Sequence, residues 1–69
     1  MERSMRIEVE QEEDGRWLAE APALPGVMAY GVTRDEAVNR VQTLALRVIA
    51  ERLEQGERTP ELDQWFAAA

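Results

Sequence analysis

Residues 13–38 read EDGRWLAEAPALPGVMAYGVTRDEAV and carry three boundary signals in a fixed order. The Asp-Gly pair at 14–15 is typical of a hairpin turn, and the Pro-Gly pair at 25–26 suits a turn in which glycine takes a positive φ. Thr33 and Glu36 have the spacing of a capping box, in which each side chain bonds the backbone N–H of the other residue. The stretch therefore predicts strand, turn, strand, turn, strand and helix.

The strands are predicted from alternation and from the positions of the turns. Met5, Ile7 and Val9 alternate with charged residues, which is the period-two pattern of a strand with one buried face. The later strands are less polar on both faces. The expected strands cover about residues 5–12, 16–21 and 27–31.

The helix is predicted from about residue 34 to residue 55, and Gly56 is placed to end it. Its apolar residues recur at intervals of three and four, so that one stripe can cover a face of the sheet. The helix is longer than any of the strands, and its last two turns should extend beyond the sheet. The predicted fold is α+β, with a three-stranded antiparallel sheet and one long amphipathic helix packed on it in the order βββα. The sheet-facing stripe comprises Ala37, Val38, Val41, Leu44, Ala45, Val48 and Ile49.

Surplus apolar surface predicts self-association. A second apolar row on the helix lies off the sheet-facing stripe, and the tail, residues 57–69, carries further aromatics as a short C-terminal helix or an edge strand. One small sheet packed against one helix cannot bury all of these side chains, so we expect a homo-oligomer, either a dimer or a tetramer. The candidate interface residues are Leu46, Ala50, Leu53, Trp65 and Phe66.

The composition excludes several kinds of site. The 69 residues include no Cys and no His, which removes disulfides, zinc sites of the Cys/His type and imidazole as a general base. We expect a single domain over residues 1–69, with no cofactor, no metal and no enzymatic activity. The net charge of −6 disfavours nucleic acid and favours a basic partner. No segment has the character of a membrane span or signal peptide, so a cytoplasmic location is expected.

Two features have alternative interpretations. Pro22 and Pro25 have the PxxP spacing of a ligand for aromatic-lined grooves, but a loop between two strands accounts for both residues. The acidic residues Glu12, Glu13 and Asp14 invite a metal-dependent nuclease hypothesis. Consecutive carboxylates at a hairpin tip point in divergent directions, however, which favours a solvated surface.

The chain from Arg6 to Leu53 resembles the toxin-binding domain of HicB-type antitoxins. The resemblance depends on the order and spacing of generic turns and caps, with Trp17 at a position where that family commonly has Tyr. The residues that carry it are Ile7, Val9, the turn at 12–15, Trp17-Leu18-Ala19-Glu20, Pro22, Leu24-Pro25-Gly26, the GVTRDE run at 31–36, Ala37 and the helix.

The resemblance implies a partial RNase H-like fold and protein binding without catalysis. HicB-like antitoxins sequester HicA-type toxins, which are small basic RNases, and many carry a separate C-terminal DNA-binding domain. We expect no such domain in this chain and no direct binding of nucleic acid. The alternative is a stand-alone oligomeric structural or regulatory protein of the same fold without a toxin partner. Exposure and charge select the candidate toxin contacts Glu12, Glu13, Asp14, Leu18, Met28 and Tyr30.

Overall fold

The computed structural model describes residues 5–57 and Phe66. A three-stranded antiparallel sheet packs against one long helix, and the strands lie in the sheet in chain order. The predicted α+β fold with βββα order is confirmed. The elements are β1 (Glu8–Gln11), β2 (Trp17–Glu20), β3 (Met28–Gly31) and α1 (Arg34–Glu54).

Strand β1 is shorter than the predicted segment 5–12. Its first residue, Glu8, pairs with Glu20 at the end of β2. Beyond that point the chain enters the loop to β3, where the Ala21 N–H donates to the Val27 carbonyl and continues the pairing of β2 with β3. Residues 5–7 have no paired strand among the described residues, although their alternating burial continues. The pattern was right about the buried face and wrong about the length of the strand.

The β1–β2 hairpin turns through residues 13–15, as the Asp-Gly pair predicts. The Gly15 N–H donates to the Glu12 carbonyl at 3.0 Å, and the Glu12 N–H donates to the Arg16 carbonyl at 2.7 Å. Gly15 has a φ of 92°, a left-handed conformation that glycine adopts without strain. This is the pattern of a turn followed by a left-handed glycine in a three-residue hairpin loop.

The segment between β2 and β3 is an ordered double turn. The Leu24 N–H donates to the Ala21 carbonyl at 2.9 Å, and the Val27 N–H donates to the Leu24 carbonyl at 3.0 Å. Gly26 has a φ of 84°, as a type II turn with Pro25 at its first central position requires. The prediction of a loop for the PxxP segment is confirmed.

Helix α1 begins with the predicted cap at Thr33. The Glu36 N–H donates to the Thr33 hydroxyl at 3.1 Å, which satisfies one of the free amides of the first turn. The reciprocal bond differs from the prediction, because the Glu36 carboxylate accepts from the Val32 N–H at 2.9 Å instead of from the Thr33 N–H. The same carboxylate lies 3.5 Å from the Arg40 guanidinium, one turn along the helix.

Helix α1 ends at the predicted glycine. Gly56 has a φ of 80°, and its N–H donates to the Leu53 carbonyl, while the Glu57 N–H donates to the Arg52 carbonyl at 2.9 Å. This pair of bonds is a Schellman motif, which satisfies carbonyls of the last turn.

The core lies between the sheet and the helix and extends past the ends of the strands. Ile49 is buried and Arg52 is half-buried, so the core continues into the last two turns of α1, which were predicted to extend beyond the sheet. The predicted helix stripe faces the sheet, with Leu44 and Val48 packed at its border. Apolar residues outside the strands, including Ile7, lengthen the covered part of the helix. The buried core comprises Ala19, Ala21, Leu24, Val27, Ala37, Val41, Ala45 and Ile49.

The predicted C-terminal helix or edge strand lies outside the described residues, as does the candidate interface residue Trp65. Phe66 is 71% exposed. The prediction for the tail stays a prediction.

Candidate functional site

The face of the sheet away from the helix, called here the open face, brings three predicted contact residues together. Side chains alternate between the two sides of a strand, and Ala19 and Ala29 pack towards the helix. Leu18 lies directly opposite Tyr30 in the β2–β3 pairing, and Met28 lies opposite Glu20. The open face is formed by Glu8, Glu10, Leu18, Glu20, Met28 and Tyr30.

The open face has an apolar centre and an acidic border. Met28 is 45% exposed and Tyr30 is 39% exposed, while Leu18 is half-buried beside them. Glu10 lies opposite Leu18 on β1, and Glu8 lies opposite Glu20. An apolar centre with a charged border is the usual anatomy of a protein-binding surface.

A depression of about 450 Å³ lies along β1 and reaches the open face. Its walls include Glu8 and Glu10 from β1, and Leu18 and Glu20 from β2. The carboxylates make its lining acidic. Arg6 also lines it, and its guanidinium forms an ion pair with Glu8 at 2.9 Å.

The three predicted acidic contacts of the hairpin are not equivalent. Asp14 accepts a hydrogen bond from the Arg16 N–H at 3.0 Å and forms an ion pair with the Arg16 guanidinium at 2.7 Å. These two contacts, the backbone bond first, hold the pKa of Asp14 below its ordinary value of 3.8. No ion pair within residues 5–57 engages Glu12 or Glu13. Of the three carboxylates, Asp14 thus serves the hairpin itself, whereas Glu13 is exposed and Glu12 is half-buried.

Sequence reasoning did not select Arg16, which belongs to this surface. Its guanidinium carbon lies 4.4 Å from the centroid of the Tyr30 ring, a distance typical of a cation–π contact. Arg16 is two residues before Leu18, so the two side chains point to the same side of the sheet. Because Leu18 pairs with Tyr30, Arg16 lies diagonally across from the Tyr30 ring. The side of the sheet could be predicted from the sequence, but the strand register could not.

The two outer edges of the sheet differ. On β3, the Arg40 guanidinium donates to the Tyr30 carbonyl at 3.0 Å, and Glu36 accepts from the Val32 N–H just beyond the strand. These two side chains occupy the backbone carbonyl and N–H with which an added strand would form hydrogen bonds. Within residues 5–57, no hydrogen bond from a helix side chain occupies the outer edge of β1. Among the described residues, the edge of β1 therefore lacks the side-chain bonds that occupy the edge of β3 and that would oppose an added strand.

The second apolar row on α1 lies on the side of the helix away from the sheet, as predicted. Leu46 and Leu53 are each 56% exposed, and Ala50 between them is also exposed. This row and the open face are on opposite sides of the molecule.

Among residues 5–57 and Phe66, no group of three or more acidic side chains is arranged to hold a metal ion. The described part of the chain contains no helix with the length and apolar character needed to cross a membrane. Comparisons of the chain with family models, curated proteins and solved structures give no match. The open face, the hairpin and the second helix row each present apolar or charged surface to a partner.

Proposed function

We propose that the chain is a cytoplasmic, non-catalytic HicB-like antitoxin module that binds and masks a small basic HicA-type RNase toxin. The resemblance of residues 6–53 to the toxin-binding domain of HicB-type antitoxins suggests the partner. The observation that carries the proposal is the open face, where exposed apolar side chains are bordered by carboxylates.

The charge of this surface suits a basic partner. Glu8, Glu10 and Glu20 border the open face, and Glu12 and Glu13 extend the acidic surface to the hairpin. An RNase that binds RNA presents basic side chains to phosphates, and a carboxylate surface can occupy them instead. Such complementarity speeds association and selects the partner, while the apolar centre supplies the desolvated contact that slows dissociation.

The edges of the sheet support an approach from the β1 side. At the β3 edge, two helix side chains occupy backbone groups. Arg40 donates to the Tyr30 carbonyl, and Glu36 accepts from the Val32 N–H. The β1 edge borders the acidic depression and adjoins the open face. A basic partner that covers Leu18 and Met28 can therefore contact the depression at the same time.

Inhibition of RNA cleavage tests the proposal. The proposal requires a gene for a small basic protein beside the gene for this chain; that protein is purified, and its cleavage of RNA is measured while the chain is added. We expect one-to-one binding and loss of cleavage at equimolar chain. Cleavage that persists when the chain is in excess would contradict the proposal.

A matched pair of variants locates the contact. Met28→Lys places a positive charge on the open face, where it repels a basic partner and removes an apolar contact. Asn39→Lys adds the same positive charge at an exposed position on the helix, outside the apolar row of Leu46, Ala50 and Leu53. We expect Met28→Lys to weaken inhibition strongly and Asn39→Lys to leave it unchanged. Equal behaviour of the two variants would move the binding surface away from the open face.

The alternative function is a stand-alone oligomeric structural or regulatory protein. The exposed row at Leu46, Ala50 and Leu53 favours it, because this row gives the chain a surface for self-association that a toxin on the open face does not use. An isolated gene without a basic neighbour, together with a defined oligomer in solution, would favour this alternative.

A further inference from the structure

The far side of helix α1 carries a short apolar row bounded by charges. Leu46 and Leu53 are seven residues apart, which places them on one stripe two turns apart, and Ala50 lies between them. Both leucines are more than half exposed. A small residue between two large ones allows another helix to approach closely at the middle of the row.

We propose that this row binds the same row of a second copy of the chain, with the two helices antiparallel and a twofold axis near Ala50. In this arrangement Leu46 of each copy lies beside Leu53 of the other, and the two Ala50 residues face each other at the axis. The contact is isologous, so each residue pair occurs twice.

The charges beside the row indicate the antiparallel direction. On the helical wheel Arg47 and Glu54 lie on one flank of the row, Glu51 lies farther round the helix on the same side, and all three are exposed. No ion pair within residues 5–57 involves them. In an antiparallel helix pair each flank faces the same flank of the partner in reverse order. Arg47 of one copy therefore lies beside the carboxylate of Glu54 of the other, with Glu51 behind it.

A parallel pair lacks this complementarity. There the charged flank faces the opposite flank of the partner, where Gln42 beside the row supplies no charge and the half-buried Arg52 lies as far round the helix as Glu51. The self-complementary order beside the row, with Arg47 towards one end and Glu54 towards the other, commits the surface to a second copy in antiparallel orientation. The open face lies on the other side of the sheet, so this inference does not depend on the proposed function.

Disulfide trapping tests the position of the axis, because the chain has no cysteine of its own. A disulfide requires Cα atoms within about 7 Å, a separation that only residues near the axis meet. Ala50→Cys should form a covalent dimer under mild oxidation. Asn39→Cys is the control, since Asn39 is exposed on the same side of the helix but eleven residues from the axis. At about 1.5 Å per residue, its two copies would lie far apart along the paired helices.

Charge inversion tests the direction of the pair by sedimentation equilibrium. Arg47→Glu makes the flank entirely acidic, and the double variant Glu51→Arg/Glu54→Arg makes it entirely basic. Each alone should weaken self-association by about tenfold or more through like-charge contacts. A mixture of the two should form a heterodimer at least as stable as the native pair, an outcome that unfolding of either variant cannot produce.

Three outcomes would overturn the inference. One is equal trapping of Ala50→Cys and Asn39→Cys. Another is a mixture of the charge variants that does not associate. The third is absence of trapping at Ala50 in a chain that remains monomeric.

Discussion

The guanidinium group of Arg16 lies against the ring of Tyr30, with its central carbon 4.4 Å from the ring centroid. The same guanidinium is 2.7 Å from the Asp14 carboxylate. One side chain thus connects the hairpin tip to the aromatic residue of β3 across the end of β2. The acidic hairpin and the apolar centre of the open face are held as one surface.

The first prediction concerns the pH dependence of stability. The folded-state pKa of Asp14 is lowered from 3.8, chiefly by the hydrogen bond from the Arg16 N–H and then by the guanidinium. A lowered pKa means that the interaction stabilises the fold above the unfolded-state pKa and is lost as the pH falls through the folded value. Asp14→Asn keeps an acceptor for the amide but removes the charge.

We therefore expect Asp14→Asn to be slightly less stable than the native chain at neutral pH, with the difference shrinking below pH 3.8. Urea unfolding followed by circular dichroism at several pH values measures this. A difference that is constant across the pH range would show that the charge of Asp14 does not contribute. Glu13→Gln is the control, because no ion pair within residues 5–57 engages Glu13.

The second prediction concerns the start of helix α1. Thr33→Ala removes the hydroxyl that accepts from the Glu36 N–H at 3.1 Å, and loss of such a cap costs about 1 kcal/mol. Thr33→Ser keeps the acceptor and should retain most of the stability. Comparing the free energies of unfolding of the alanine and serine variants tests whether the hydroxyl acceptor is the cause. If the serine variant is as unstable as the alanine variant, the cap bond is not the cause.

The boundaries of the fold could be predicted because the signals that set them are local. Gly26, Thr33 and Gly56 each act within one turn of the chain, and each was found where the sequence placed it. The core stripe of the helix was equally predictable, because its period depends only on helix geometry.

Features that depend on the pairing of distant segments could not be predicted. The length of β1 depends on where its pairing with β2 ends, and the contact of Arg16 with Tyr30 depends on the register of β2 and β3. The burial of Ile49 near the end of α1 was not predicted, because the contribution of loop residues such as Leu24 to the core cannot be read from strand lengths. For the candidate site, the sequence predicted that Leu18 and Met28 lie on the outer face of the sheet. It did not predict the ion pair of Asp14 with Arg16.

The third prediction concerns the close approach of β3 to the start of the helix. Gly31 is buried, and a Cβ added there would lie 2.9 Å from the Ala37 Cα and still closer to its backbone nitrogen. Gly31→Ala must displace backbone, so we expect a loss of about 1–3 kcal/mol. Thermal and urea unfolding measure the change.

The double variant Gly31→Ala/Ala37→Gly is the control for this explanation. The added methyl group meets backbone atoms of residue 37 and not its side chain, so removing the Ala37 methyl should not restore stability. Recovery of stability in the double variant would show that the cause is a side-chain clash.

The fourth prediction concerns the salt dependence of partner binding. Glu12→Lys/Glu13→Lys reverses the two hairpin charges that no ion pair within residues 5–57 engages. We expect slower association with the basic partner and a weaker dependence of the rate on salt, because electrostatic steering is screened by salt. Stopped-flow measurement at several salt concentrations tests this. An unchanged rate and salt dependence would remove the hairpin from the binding surface.

Affinity capture shows whether the open face binds a basic RNase. The tagged chain and its Met28→Lys variant are used as baits in lysate of the source organism, and retained proteins are identified by mass spectrometry. We expect the native bait to retain one small basic protein in near-equal amount, and we expect this protein to cleave RNA when freed from the bait. The Met28→Lys bait should lose it. Retention of no such protein by the native bait, or equal retention by both baits, would contradict the proposed function.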